Sequence, residues 1–179
     1  MKTLATILSA LALTSCITIV GTTKFSEAPV EERTLTINTD VTAIAASSDA
    51  EIIVDATLPA NEIRVKTHTD IFDILEITSD NQTLEVGLRE HTLRAKTFEV
   101  RIPILAYNSI AASGGADIEW HDCRAEMLTI AASGGADVAV HPTKSLTVNA
   151  SGGADVSYCG NPESKDISRS GGADVYRAD

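Results

Sequence analysis

Apolar and polar residues alternate along most of the chain, and the alternation is clearest around its Gly-Gly pairs. One, three and five positions before Ser133 stand Ala132, Ile130 and Leu128; three, five and seven positions after it stand Ala136, Val138 and Val140. The same count from Ser151 gives Ala150, Val148 and Leu146 before, and Ala154, Val156 and Tyr158 after. After Ser113 it gives Ala116, Ile118 and Trp120. A period of two puts every second side chain on one face, which predicts strands with one face buried on both sides of a turn. No helical period of 3.6 competes with it.

The pattern belongs to a repeat. Ser113-Gly114-Gly115-Ala116-Asp117-Ile118 recurs from Ser133, Ser151 and Ser170, at steps of 20, 18 and 19 residues. A degenerate fifth copy lies upstream, where Ile44 to Ile52 aligns with Ile110 to Ile118. Repeats of this length predict a solenoid in which equivalent positions stack about 4.8 Å apart. A single unit cannot fold alone. Ordering it costs roughly 20–40 kcal/mol, whereas its few apolar side chains return on the order of 10 kcal/mol. Stacking supplies the missing burial and the ladder hydrogen bonds. The two glycines are expected to give the corner its positive φ angles.

Between residues 57 and 105 the Gly-Gly signature is absent but alternation persists, as in Ile63-Arg64-Val65-Lys66, Leu84-Glu85-Val86-Gly87-Leu88 and Phe98-Glu99-Val100-Arg101-Ile102. Turn signals at Pro59-Ala60-Asn61, Ser79-Asp80-Asn81 and Pro103 separate these runs. They are expected to form less regular coils of the same domain. The last copy departs from the rest: Lys165, Arg169 and Arg177 occupy inward positions held elsewhere by apolar residues. Terminal repeats need polar caps, and this one is expected to accept a partner or a second copy.

The first residues read as an address. Met1-Lys2 precedes an apolar run (Leu4, Ile7, Leu8, Leu11, Leu13) too short to span a bilayer. It ends in Leu13-Thr14-Ser15-Cys16, which resembles a bacterial lipobox. Residues 1–15 are therefore expected to be a lipoprotein signal peptide, Cys16 the lipidated residue, 16–31 a tether and 32–179 the β-helix domain. Acyl chains on Cys16 would hold the protein at a membrane outside the cytoplasm. Ile17 lacks the Asp that often marks inner-membrane retention, which favours the outer membrane.

Composition changes the picture in two ways. Aromatics are only 4% of residues, so the core must use small and β-branched side chains. A net charge of −11 argues against nucleic acid, which needs a basic footprint.

The strand Phe98-Glu99-Val100-Arg101-Ile102-Pro103, then Ile110 to Ile118 and the repeated Ser-Gly-Gly-Ala-Asp-Val, resembles the auto-transporter adhesin head GIN domain family over about residues 34–176. The resemblance implies an exported, all-β, single-domain right-handed parallel β-helix with coils of 18–20 residues, often a lipoprotein. It carries over no catalytic residues.

Candidate chemistry is sparse. Asp117, Asp137, Asp155 and Asp174 form an outward column, with Glu51 equivalent upstream. Stacked carboxylates repel by roughly 1–3 kcal/mol per pair, so either Ca²⁺ bridges them or each accepts hydrogen bonds from turn amides or a serine. A second column, His121, His141 and Cys159, reads as a surface stack rather than a metal site. Cys123 and Cys159 lie two coils apart, beyond the ~7 Å Cα limit for a disulfide, so free thiols are expected. Hydrolase, zincin, Walker and dinucleotide motifs are absent. The reading is an envelope lipoprotein with no catalytic role and no cofactor, binding a glycan or an envelope protein. Its rivals are a small Ca²⁺-dependent carbohydrate-active protein and a structural subunit assembling end to end.

Overall fold

The computed structural model describes residues 23–90 and 92–178, and the side chains of all of these but 121–123. The expected signal peptide and Cys16 lie outside the described residues. The described residues form fifteen strands and no helix. In chain order these are β1 (Lys24–Phe25), β2 (Val30–Thr36), β3 (Ala43–Ala46), β4 (Glu51–Val54) and β5 (Glu62–His68). Next come β6 (Leu75–Asp80), β7 (Thr83–Leu88), β8 (Leu93–Arg94), β9 (Phe98–Ile102) and β10 (Ser109–Ala112). The last are β11 (Asp117–Ala132), β12 (Asp137–Ala150), β13 (Asp155–Tyr158), β14 (Ser164–Arg169) and β15 (Asp174–Arg177).

The repeats stack in register as parallel rungs. Each rung is a strand, a corner and a second strand. On the first face, Leu84, Ile44, Ile110, Ile130 and Val148 line up from rung to rung and end at Ile167. On the second, Val100, Ile52, Ile118, Val138, Val156 and Val175 do the same. All but the two residues of the last rung are buried. Each fully buried side chain of this size contributes roughly 1.5–3 kcal/mol, and the columns merge into one core. The degenerate upstream copy joins with the alignment read from the sequence: Ile44 pairs with Ile110, and Glu51 with Asp117.

The corner uses its glycines unequally. Gly114, Gly134, Gly152 and Gly171 have positive φ, whereas the second glycine of each pair does not. In the upstream copy Ser48 and Asp49 take φ of 63° and 60° instead. Close approach is the second demand on the first glycine. A Cβ on Gly134 would lie 2.7 Å from the Gly114 carbonyl oxygen, which accepts a 2.7 Å hydrogen bond from the Gly135 N–H.

Three features correct the expectation of a plain succession of parallel coils. First, the sheet is mixed: β2 and β5, β5 and β9, and β6 and β7 pair antiparallel. Alternation fixes which face is buried but not the direction of a neighbour. Second, the rungs are not in chain order. The β3–β4 rung sits between β7–β9, which follow it in sequence, and β10–β11. Third, the described part of the stretch expected as a tether, residues 23–31, contributes to the fold. β1 pairs with β8, and buried Ser26 donates a 2.6 Å hydrogen bond to Asp70.

Candidate functional site

The outward faces of the two ladders carry the candidate chemistry. On the second face, pairing aligns Glu99, Glu51, Asp117, Asp137, Asp155 and Asp174 in one line. The four aspartates singled out from the sequence are thus neighbours, and the line extends by two glutamates. Glu51 was legible upstream; Glu99 carries no Gly-Gly marker and was missed. Among the described residues, cations pair with the two ends of the line only: Arg101 bonds Glu99 at 2.7 Å, and Arg169 bonds Asp174 at 2.9 Å. Asp174 also accepts a 2.9 Å bond from the Val175 N–H.

The middle of the ladder is electrostatically raised. Partial burial, then the charges of Glu99, Glu119 and Asp117, push the Glu51 carboxyl above its ordinary value. Partial burial, then Asp137, does the same to Asp117, while the Asp137 backbone pulls it back. A shallow cavity of about 300 Å³ lies over this stretch, lined by Glu51, Asp117, Glu119, Asp137, Asp155 and Tyr176 among others. Among the described residues no three His, Cys, Asp or Glu side chains converge on one point as a metal would require. Parallel strands hold side chains side by side, and a line is not a cage.

The second candidate column is broken by register. The pairing of β11 with β12 shifts between Glu119 and Arg124, so His141 stands opposite Arg124. The side chains of His121 and Cys123 lie outside the described residues. Cys159 is a free thiol.

Sequence reasoning passed over the first face, which carries a second and wider concavity than the one over the carboxylates. A groove of about 770 Å³ runs across β7, β3, β10, β11 and β12. Its floor includes Ala45, Ala111 and Ala131, aligned from rung to rung, with Ser47, Ser113, Ser133 and Ser151 along one side. Glu85, which pairs with Ala45, and Glu76, which pairs with Gly87, stand at the β7 end of the groove. The signal was present in the outward parity of the repeat, where alanine replaces the usual long polar side chain.

In-register rungs, open faces of short side chains and a carboxylate ladder define an all-β stacked-rung protein that offers surface rather than an enclosed cleft. The family model "Putative auto-transporter adhesin, head GIN domain" matches residues 40–122 and 106–162. Together these cover more than half of the chain, and the chain belongs to that family. Solved structures are similar at low identity. A putative adhesin from Parabacteroides merdae is 11% identical, with 87% of this chain and 98% of that chain covered and a TM-score of 0.46. A putative adhesin from Parabacteroides distasonis is 10% identical, covering 87% and 99%, with a TM-score of 0.46. A putative lipid binding protein from Parabacteroides distasonis is 15% identical, covering 87% and 99%, with a TM-score of 0.37. Comparison with curated proteins gives no match.

Proposed function

We propose that the chain is a non-catalytic adhesion module of the cell surface that grips a glycan or an envelope protein in the groove on its first face. The observation that carries this is the groove itself, about 770 Å³ and floored by Ala45, Ala111 and Ala131. Short side chains have little rotamer freedom to lose, so a partner binds without a large ordering cost. Serine hydroxyls recur beside the floor on four successive rungs, at Ser47, Ser113, Ser133 and Ser151, and can donate or accept. Family membership supports the adhesive reading.

The same proposal places the protein outside the cytoplasm, held by lipid on Cys16. In a two-membrane envelope it assigns the outer membrane. The parallel rungs of residues 109–177 support reading that half as a short β-helix, right-handed by the general preference of parallel crossovers.

Filling the groove tests the assignment. Full-length protein, with Ala111→Arg and Ala131→Arg variants, is applied to arrays of envelope glycans and envelope proteins. The expected result is at least tenfold weaker capture by the variants with an unchanged melting midpoint. Capture that both variants retain in full removes the groove from the reading. Labelled palmitate lost on Cys16→Ala, with release from membranes, is the outcome expected for the anchor; membrane retention without label overturns it.

A further inference from the structure

The last rung differs from every other. β14 pairs only with β12, and β15 only with β13, so among the described residues each has one edge without a neighbouring strand. Unpaired edges are templates for strand addition. The register shows what a further strand would meet. In the preceding rung, Leu146, Val148, Ala150, Val156 and Tyr158 are buried. Their partners in the last rung are Lys165, Ile167, Arg169, Val175 and Arg177. Ile167 is 38% exposed, where Val148 beneath it is 1%.

This end is an apolar centre, Ile167 and Val175, framed by three cations in a chain of net charge −11. Arg169 is partly compensated by Asp174 at 2.9 Å. Lys165 leans over the Tyr158 ring at 6.0 Å and has no carboxylate within ion-pair distance among the described residues. A second copy docked tail to tail would set three cations against three, and like charges across an interface cost several kcal/mol. Docked head to tail, it would present β2 and β6, the two edge strands at the other end. Glu31 there is already paired with Arg33 at 3.1 Å, and both strands run antiparallel to their neighbours, so neither continues the parallel ladder of β14 and β15.

We propose that this end binds an extended acidic segment of a different protein, which adds to β14 and β15 as the next rung. Main-chain hydrogen bonds supply the affinity. Carboxylates at alternate positions meet Lys165, Arg169 and Arg177, and an apolar residue between them covers Ile167. The inference is independent of the groove on the first face.

The probe is a synthetic peptide, Thr-Glu-Thr-Val-Thr-Glu-Thr, whose alternate residues match Lys165, Ile167 and Arg169; the control carries Lys in place of Glu. Both are titrated into full-length protein and followed by amide chemical shifts. Expected are at least a tenfold preference for the acidic peptide and shifts confined to residues 146–177. The charge-reversed variant K165E/R169E/R177E is expected to invert the preference, and the milder K165Q/R177Q to reduce it. Equal binding of the two peptides, no binding of either, or a preference untouched by both variants overturns the proposal. So does concentration-dependent dimerisation abolished by K165E/R169E/R177E, because a second copy would then be the occupant.

Discussion

Replacing Gly134 with alanine, beside the same change at Gly114, separates the two demands placed on the first glycine of each repeat. Both residues adopt a left-handed backbone, with φ of 75° and 73°. An alanine there costs roughly 1–2 kcal/mol in either place. The surroundings differ. At Gly114 the nearest atom to a new Cβ is the Ser48 nitrogen at 3.5 Å, an ordinary contact. At Gly134 the Cβ would lie 2.7 Å from the Gly114 oxygen, 3.1 Å from its nitrogen and 3.3 Å from its Cα. All are backbone atoms of the adjacent rung, and none can rotate away. The two rungs must part, which stretches the Gly135 to Gly114 hydrogen bond. Overpacking of this kind costs typically 1–3 kcal/mol, and a weakened ladder bond about 1 kcal/mol more. Gly114→Ala is therefore expected to cost roughly 1–2 kcal/mol and Gly134→Ala roughly 3–6. Urea unfolding followed by Trp120 fluorescence reads the difference, since this is the single tryptophan and is buried. With a slope near 2 kcal/mol per M, the midpoints should fall by about 0.5–1 M and about 2 M respectively. Equal midpoints for the two variants would refute the argument that rung stacking, and not turn conformation alone, selects glycine.

Other consequences follow from the turns and the ladder. Ser48→Gly should raise stability by about 1 kcal/mol in the same assay, because it relieves a positive φ and removes a buried hydroxyl with no partner among the described residues. Asp117→Asn should stabilise the protein at pH 7 but not at pH 4. The folded state holds the Asp117 proton more tightly than the unfolded one, so stability falls as pH rises through the window above the ordinary carboxylate value. Solvent exposure and screening keep the gain under about 1 kcal/mol; melting curves that differ equally at both pH values would contradict it. EDTA or added Ca²⁺ should leave the melting midpoint unchanged, and a rise of several degrees with Ca²⁺ would restore the metal reading of Asp117, Asp137, Asp155 and Asp174.

Much of the architecture was legible because stacking copies a pattern from rung to rung. The four Ser-Gly-Gly-Ala-Asp segments and the Ile44 to Ile52 copy pair residue for residue as aligned. Three things were hidden for physical reasons. A strand such as Ile63-Arg64-Val65 buries the same face whether its neighbour runs with it or against it, so the antiparallel β5 and β6 read like further coils. A parallel rung carries no address, so nothing in Ile44 to Val54 says that β7 and β9 will lie on one side and β10 and β11 on the other. The irregular pairing between Glu119 and Met127 has no counterpart in the alternation, and it displaced His141 from the column expected with His121. The groove was missed for a simpler reason: outward alanines at 45, 111 and 131 look unremarkable until their alignment makes a trough.

The placement of the β3–β4 rung constrains how the molecule can be born. Residues 43–54 emerge early from a ribosome or a translocation channel, yet both of their neighbours are made later, within 83–102 and 109–120. Until then the segment has two bare edges and an unmet apolar side. Such long-range closures are slow and leave strands open to wrong partners. Closure of this rung therefore waits until residues up to about 120 have been made, and the core cannot be assembled in the order in which the chain is synthesised.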